Sequence, residues 1–156
     1  MEPRPRLSFS IRNGTAGDAP SIAELIGELG FQIGLPQLSA KLADSCFANA
    51  CLVAESQSKV AGVATTHITP VLHRSKPVGR VTMLVVSETM RGHGIGRSLV
   101  EEAERRLSGA GCGLIEITCN DSLEDAHSFY EHLGYRRTSV RFFKPIDNSG
   151  QSSTRK

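Results

Sequence analysis

The chain has 156 residues, of which 39% are hydrophobic, 22% charged and only 5% aromatic. This composition is typical of a soluble folded protein and excludes a largely disordered chain. The formal net charge of +2 is too small to indicate nucleic acid as a main partner. No segment approaches the ~20 apolar residues that a membrane span needs, and the N-terminus lacks an apolar signal segment. We therefore expect a cytoplasmic protein without a membrane partner.

The length suits one domain with a single hydrophobic core. We expect this domain over residues 1–146, followed by a polar, Ser-rich and disordered tail over residues 147–156. No two cysteines form a C-x-x-C pair, and the cysteines lie in apolar or strand-like segments. We therefore expect packed free thiols and no metal site.

The first half of the chain predicts one strand, two helices and a hairpin. The strand lies within residues 9–15. The first helix carries apolar residues at helical spacing, Ile22, Leu25, Ile26 and Leu29, and ends at Gly30. The second begins near Pro36 and carries Leu38, Leu42 and Phe47. Residues 51–56 and 60–68 flank a polar turn and predict a β-hairpin.

The second half alternates strands and helices. We predict strands at 80–86, 112–119 and 139–144, and helices at 94–108 and 124–133. The helix at 94–108 buries Ile95, Leu99, Ala103 and Leu107 in this prediction. The two strands that flank it should be parallel, because an antiparallel pair would not need so long a crossover. The order predicts an α/β fold.

The stretch RGHGIGRS, residues 91–98, stands between the strand at 80–86 and the following helix. A helix N-terminus offers unpaired backbone N–H groups and the positive end of the helix dipole, and phosphate commonly binds there. Glycines at positions 92, 94 and 96 permit close approach and positive φ angles. Arg91 and Arg97 can add charge-assisted hydrogen bonds. The pattern indicates a phosphate cradle, and a tight turn without a ligand is the alternative.

Two other phosphate-binding loops do not fit this stretch. A dinucleotide fingerprint that starts at Gly92 would need a third glycine where Arg97 stands. A P-loop would need lysine in place of Arg97 and glycine in place of Arg91.

The pattern R-G-x-G-I-G after the strand residues LVV resembles the acyl-CoA-binding motif of the GNAT family of N-acetyltransferases. About 30 residues later, AHSFYEHLGY (126–135) is similar to that family's second signature, A-x-x-F-Y-x-x-x-G-[FY]. The order of elements matches over residues 9–145. Residues 120–130, followed by RFFK, are also similar to aminoalkylphosphonate and other small-amine acetyltransferases. The resemblance implies a mixed, mostly antiparallel sheet with a splayed parallel strand pair, flanked by about four helices.

The resemblance implies acetyl-CoA as the co-substrate and assigns residues to its parts. The backbone of Leu84, Val85 and Val86 would pair with the pantetheine arm, and Asn120 would bond or orient that arm. Tyr130 would protonate the departing CoA thiolate; alternatively it only packs beside Phe129. The pyrophosphate would be held by Arg91, Gly92, His93, Gly94, Ile95, Gly96, Arg97 and Ser98.

The general base is open. Many family members have a carboxylate immediately before the LVV triplet, where this chain has Met83. Glu116, His67 and His73 are candidates, or the amine arrives neutral from solvent.

The resemblance implies N-acetylation of a primary amine of a small molecule. The alternatives are acetylation of a protein lysine or N-terminus, and a non-catalytic acyl-CoA-binding domain. The family builds its acceptor pocket mostly from the first two helices and the loop at 69–79. An exposed last strand could pair with a second subunit and make a homodimer.

Overall fold

The computed structural model describes residues 7–119 and 123–146. The chain divides after Ile117 into two compact units. The described part of the first unit contains a five-stranded sheet with helices, and that of the second contains one further helix. The single domain expected over residues 1–146 stays a prediction.

The sheet has the strand order β1-β2-β3-β4-β5. Its strands are β1 (Ser10–Asn13), β2 (Cys51–Ser56), β3 (Lys59–Thr69), β4 (Val78–Val86) and β5 (Leu114–Ile117). The described α-helices are α1 (Ala19–Glu28), α2 (Leu35–Ala43), α3 (Ser45–Ala48), α4 (Ile95–Gly109) and α5 (Glu124–His132). Short 3-10 turns lie at Ala16–Asp18 and Glu88–Met90. Neighbouring strands are antiparallel except β4 and β5, which are parallel as predicted. The mixed α/β fold is confirmed.

Apolar side chains cover the sheet in two clusters. One cluster combines α1 and α2 with the sheet through Ile22, Leu25, Leu38 and Leu42. The other contains Ile95, Leu99 and Ala103 of α4. These are the residues whose helical spacing predicted the two faces.

Glycine lets α4 lie close to the sheet. A Cβ at Gly62 of β3 would stand 3.1 Å from side-chain atoms of Ile95 and Leu99, and a Cβ at Gly79 of β4 would stand 2.9 Å from Leu107. The distance at Gly79 is shorter than real contacts and that at Gly62 is tighter than most, so a larger residue at either position would force these α4 side chains to shift.

The second predicted helix is wrong at its C-terminal end. It stops at Ala43, and the carboxylate of Asp44 accepts the backbone N–H of Cys46 at 2.8 Å, which caps the separate helix α3. Phe47 therefore lies on α3, where it is half-exposed rather than buried with Leu38 and Leu42. The short α3 brings the described α-helices to five, against the four expected.

The predicted last strand at 139–144 is wrong. This segment forms no strand, and the side chains of Val140, Phe142 and Phe143 are 79%, 91% and 81% exposed. A segment with apolar side chains forms a strand only if a neighbouring strand pairs with its backbone. Among the described residues, no strand pairs with this segment. Asn120 and the predicted tail at 147–156 lie outside the described residues.

The cysteines do not share one environment. Cys51 is buried, as predicted, and burial raises the pKa of its thiol to about 11. Cys46 is exposed on α3, which contradicts the expected packing of that thiol. Within residues 7–119 and 123–146, none of the helices is both long and apolar enough to cross a membrane.

Candidate active site

The glycine-rich turn connects the 3-10 turn after β4 to the N-terminus of α4. Gly92 and Gly94 have φ angles of +81° and +83°, in the left-handed region that favours glycine. Gly96 lies inside α4 and does not share this conformation. A Cβ at Gly92 or Gly94 would meet no atom within 4 Å, so the space in front of the turn is open.

The first turn of α4 offers donors to that open space. Gly94 is the N-cap residue, and no side chain caps the helix. Helical geometry leaves the N–H groups of Ile95, Gly96 and Arg97 without partners inside the helix. Ile95 is 1% exposed and anchors this end in the core. Open space, rigid anchoring and unpaired donors at the positive end of a helix suit a phosphate group.

The side chains of the turn are already engaged at the surface. Arg91 donates from Nε to the Val86 carbonyl at 3.1 Å, and its Nη2 lies 3.6 Å from Glu28 Oε2. Arg97 donates to Glu101 at 2.8 Å. The His93 ring nitrogen Nδ1 lies 3.1 Å from the Arg91 carbonyl oxygen. Exposed ion pairs contribute only about 0–1 kcal/mol, so a bound anion could compete for either arginine.

The edge of β4 beside the turn is open. β4 pairs with β5 only from Val78 to Val81 and continues to Val86. No strand in the described part of the chain pairs with its Thr82–Val86 segment on that side. The Ser87 N–H donates to Ala61 of β3 at 2.8 Å, and strand alternation then turns the backbone groups of Leu84 and Val86 toward the open edge. Val85 turns its backbone groups to β3 and its side chain into the core.

A β-bulge marks the position where β4 leaves β5. Thr65 of β3 lies opposite Met83, whereas Thr66 lies opposite Val81, so Thr82 is an extra residue in β4. The Oγ1 atoms of Thr65 and Thr82 are 2.7 Å apart and hydrogen bonded. A bulge bends and twists its strand, which accounts for the separation of β4 from β5 beyond Val81.

The candidates for a general base have different surroundings. Met83 packs against the apolar cluster of α1 and α2. Glu116 Oε2 accepts a hydrogen bond from Arg80 Nη2 at 2.8 Å across β4 and β5. His67 is exposed on β3 and lines a cavity, whereas His73 is exposed in the connection between β3 and β4.

Two of the cavities formed by the described residues are relevant to an acceptor. One, of about 440 Å³, is formed by α1 and the connection that follows it and is lined by Ala23, Gly27, Phe31, Gln32, Ile33 and Gly34. The other, of about 220 Å³, lies at the bulge and is lined by Phe47, Ala50, Thr65, Thr66, His67 and Thr82. The expectation that α1 and α2 build an acceptor pocket stays a prediction, because no residue of α2 lines the first cavity. The second uses α3, β3 and β4, which the sequence did not indicate.

Tyr130 belongs to the second unit. Its ring makes edge contacts with Phe129 and Tyr135, with ring centroids 5.2 and 6.1 Å apart. Burial, and to a smaller extent the neighbouring Cys119, raises the pKa of the Tyr130 phenol to about 12. The hydroxyl therefore stays protonated throughout the neutral pH range, as a proton donor must.

No described His, Cys, Asp or Glu side chains gather in a group of three or more that could hold a metal ion. The residues that sequence reasoning missed are Thr65, Thr82 and Arg80. They come together only through strand register, and no local motif accompanies them.

Comparison with known proteins identifies the family. The model of the acetyltransferase (GNAT) family matches residues 24–135, which is more than half of the chain. This chain belongs to the GNAT acetyltransferase family. It is an acyltransferase enzyme, and members of this family use acetyl-CoA as co-substrate.

The relatives agree with this assignment. The chain is 32% identical over 141 residues to the aminoalkylphosphonate N-acetyltransferase of Salmonella typhimurium, covering 87% of this chain and 90% of that protein. A solved structure from Agrobacterium tumefaciens has a TM-score of 0.77 and 27% identity, and covers 87% of this chain and 99% of that one. A transcriptional regulator from Bacillus halodurans has a TM-score of 0.78 and 23% identity, covers 89% of this chain and 100% of that one, and shows the fold alone.

Proposed function

We propose that this GNAT enzyme transfers the acetyl group of acetyl-CoA directly to a primary amine of a small molecule. The observation that carries the proposal is the pair of left-handed glycines, Gly92 and Gly94, at the N-terminus of α4 beside the open edge of β4. The N-terminus of α4 suits a pyrophosphate, and the open edge of β4 suits an extended, amide-containing arm.

The chain's backbone does most of the binding in this proposal. Leu84 and Val86 would hydrogen bond the pantetheine arm as a neighbouring strand would, and one of their N–H groups would polarise the thioester carbonyl. Residues 91–98 would hold the pyrophosphate, and Asn120 would orient the arm. When bound, acetyl-CoA supplies the activated acyl group.

Tyr130 would donate a proton to the departing CoA thiolate. A phenol with a pKa of about 12 is a weaker acid than an ordinary phenol. Burial also raises the pKa of a thiol, as at Cys51, so a thiolate in a water-poor site becomes more basic and accepts the proton more readily.

The amine must lose a proton before or during its attack on the thioester carbonyl. Met83 cannot accept this proton. The base among the three candidates stays open: His67 lines the cavity at the start of the open β4 edge, and His73 is exposed in the connection between β3 and β4. Glu116 is engaged by Arg80.

A panel of amines with acetyl-CoA, followed by free-thiol release, tests the proposal. The panel should contain aminoalkylphosphonates, because the Salmonella relative bears that name, together with amino acids, polyamines, aminoglycosides and a lysine peptide. We expect small amines to accelerate thiol release above hydrolysis. If acetyl-CoA binds and no amine accelerates release, the chain is a binding domain; if only the peptide does, it is a protein acetyltransferase. Cytoplasmic location and a homodimer stay predictions.

A further inference from the structure

The 220 Å³ cavity at the β-bulge, here called the bulge cavity, has a mostly apolar lining that contains hydroxyl and imidazole groups and no acids. Its lining consists of Phe47, Ala50, Thr65, Thr66, His67 and Thr82. Thr66 Oγ1 donates to the Ala50 carbonyl at 3.5 Å, and one hydroxyl of the Thr65–Thr82 pair donates to the other. The second hydroxyl of that pair and the imidazole can donate to a ligand, and none of the lining residues is a carboxylate. A cationic group would find no counter-charge in this lining, whereas an anionic group would find donors.

Basic side chains lie beside two of the residues that line the bulge cavity. His67 and Arg80 are register partners on β3 and β4, so their side chains lie next to each other on one face of the sheet. Lys41 Nζ lies 5.8 Å from the ring centroid of Phe47. Glu116 engages Arg80 through one hydrogen bond at 2.8 Å. A guanidinium has five N–H donors, so this bond leaves Arg80 capacity for a further anion.

The bulge cavity lies close to the open edge of β4. Thr82 lines the cavity, and Leu84, two residues further along β4, turns its backbone to the open edge. Two residues of a strand span about 6.6 Å, which is similar to the length of a short aminoalkyl chain. A molecule with an anionic end in the cavity could place its amine near Leu84.

We infer that the bulge cavity binds the anionic end of the amine acceptor, so that the substrate is a small amine with a phosphonate, phosphate or carboxylate group. The hydrogen-bonded hydroxyl pair of Thr65 and Thr82 donates one hydrogen bond to the anion, His67 donates a second, and Arg80 adds positive charge beside them. This inference rests on the proposed acetyl transfer and names its substrate class. It excludes polycationic amines as good acceptors.

The test compares an anionic with a neutral acceptor in site variants. Arg80→Met should lower kcat/KM for aminoethylphosphonate by about 10-fold or more, because it removes a positive charge beside the anion, and Thr82→Val should lower it by a similar factor, because it breaks the hydroxyl pair that donates to the anion. Both variants should lower kcat/KM for propylamine far less than for aminoethylphosphonate, because propylamine has no anionic end to lose. Arg105→Met removes the same charge from the exposed surface of α4 and serves as the matched control, with both acceptors unaffected.

Equal losses for both acceptors would mean that the variants damage the fold or the reaction, and the inference would be wrong. It would also be wrong if wild type did not prefer aminoethylphosphonate to propylamine. Aminomethylphosphonate and β-alanine in the same assay separate phosphonate from carboxylate recognition.

Binding of ethylphosphonate tests the anion site independently of acetyl transfer, because this probe has no amine to acetylate. Calorimetry should show ethylphosphonate binding to wild type and Arg105→Met, with affinity lowered about 10-fold in Arg80→Met. If no amine is acetylated but this pattern holds, the proposed function fails and the anion site stands. If ethylphosphonate does not bind while propylamine is acetylated, the anion site fails and the proposed function stands.

Discussion

The glycine-rich turn and the bulge cavity make their contacts in different ways. The turn offers backbone N–H groups, and its conformation depends on Gly92 and Gly94 at positive φ. The cavity offers side chains from α3, β3 and β4 that are distant in sequence. A backbone site of this kind requires glycine at fixed positions and is therefore visible in the sequence. A side-chain site can be built from many residue types, so it becomes visible only after the fold is known.

The largest predicted effect is at Gly94. Gly94→Glu places a carboxylate where the pyrophosphate should lie, and repulsion of several kcal/mol should weaken CoA binding by on the order of 100-fold or more. Calorimetric titration with CoA measures this change. Gly111→Glu, just after α4, introduces the same side chain at a similar φ of +88° into open space. It should carry the same backbone strain of roughly 1–2 kcal/mol and bind CoA normally; equal weakening in both variants would refute the phosphate cradle.

Tyr130→Phe should lower kcat by about 100-fold or more, the range of general acid catalysis, with little change in CoA affinity. Tyr135→Phe removes the hydroxyl of the neighbouring ring and is the control. Steady-state rates with saturating acetyl-CoA measure the effect. An unchanged kcat across the pH range would remove Tyr130 from the mechanism.

The raised pKa of Tyr130 gives a separate pH prediction. Below about pH 10 the phenol is protonated in both the folded and the unfolded chain, so it does not change the free energy of unfolding with pH. Between about pH 10 and 12 the unfolded chain loses this proton while the folded chain keeps it, so this phenol makes the free energy of unfolding fall as pH rises. Urea unfolding of wild type and Tyr130→Phe should therefore diverge in this window, with wild type losing more stability; parallel curves would contradict the burial of the phenol.

The smallest predicted effect is at Glu28. Its carboxylate lies 3.6 Å from Arg91 and accepts the Glu88 backbone N–H at 3.2 Å. Glu28→Gln should free Arg91 for the pyrophosphate and tighten CoA binding by up to about fivefold. This factor corresponds to the free energy of about 1 kcal/mol that a partly exposed ion pair contributes at most. The neighbouring Glu24→Gln, exposed on the same helix, controls for the change in net charge. Weaker binding in Glu28→Gln alone would mean that the ion pair holds Arg91 in its productive position.

Periodicity and glycine positions in the sequence predicted most of the fold. The elements α1, α4 and α5 and the parallel β4 and β5 were predictable, because their apolar spacing and crossover length are local properties. Phe47 was wrongly placed, because the Asp44 cap competes with continuation of α2. The strand at 139–144 was wrong, because strand formation depends on a partner that the segment's own residues do not specify.

The candidate site, like the fold, was predictable only in part. The sequence indicated the turn at 91–98 and the LVV strand, and the structure adds that Leu84 and Val86 face the open edge. The bulge at Thr82 and the pairing of Arg80 with Glu116 depend on the register of three strands. Because register is a long-range property, no motif in the sequence announces these residues.

Analysis of the product tests the central claim most directly. Purified enzyme with acetyl-CoA and aminoethylphosphonate should yield the N-acetyl amide, with one CoA thiol released per amide formed, as measured by mass spectrometry and thiol titration in the same sample. Gly94→Glu should yield neither product at the same acetyl-CoA concentration, whereas Gly111→Glu should yield both. Thiol release without amide, or amide formation that survives Gly94→Glu, would contradict the proposed transfer at this site.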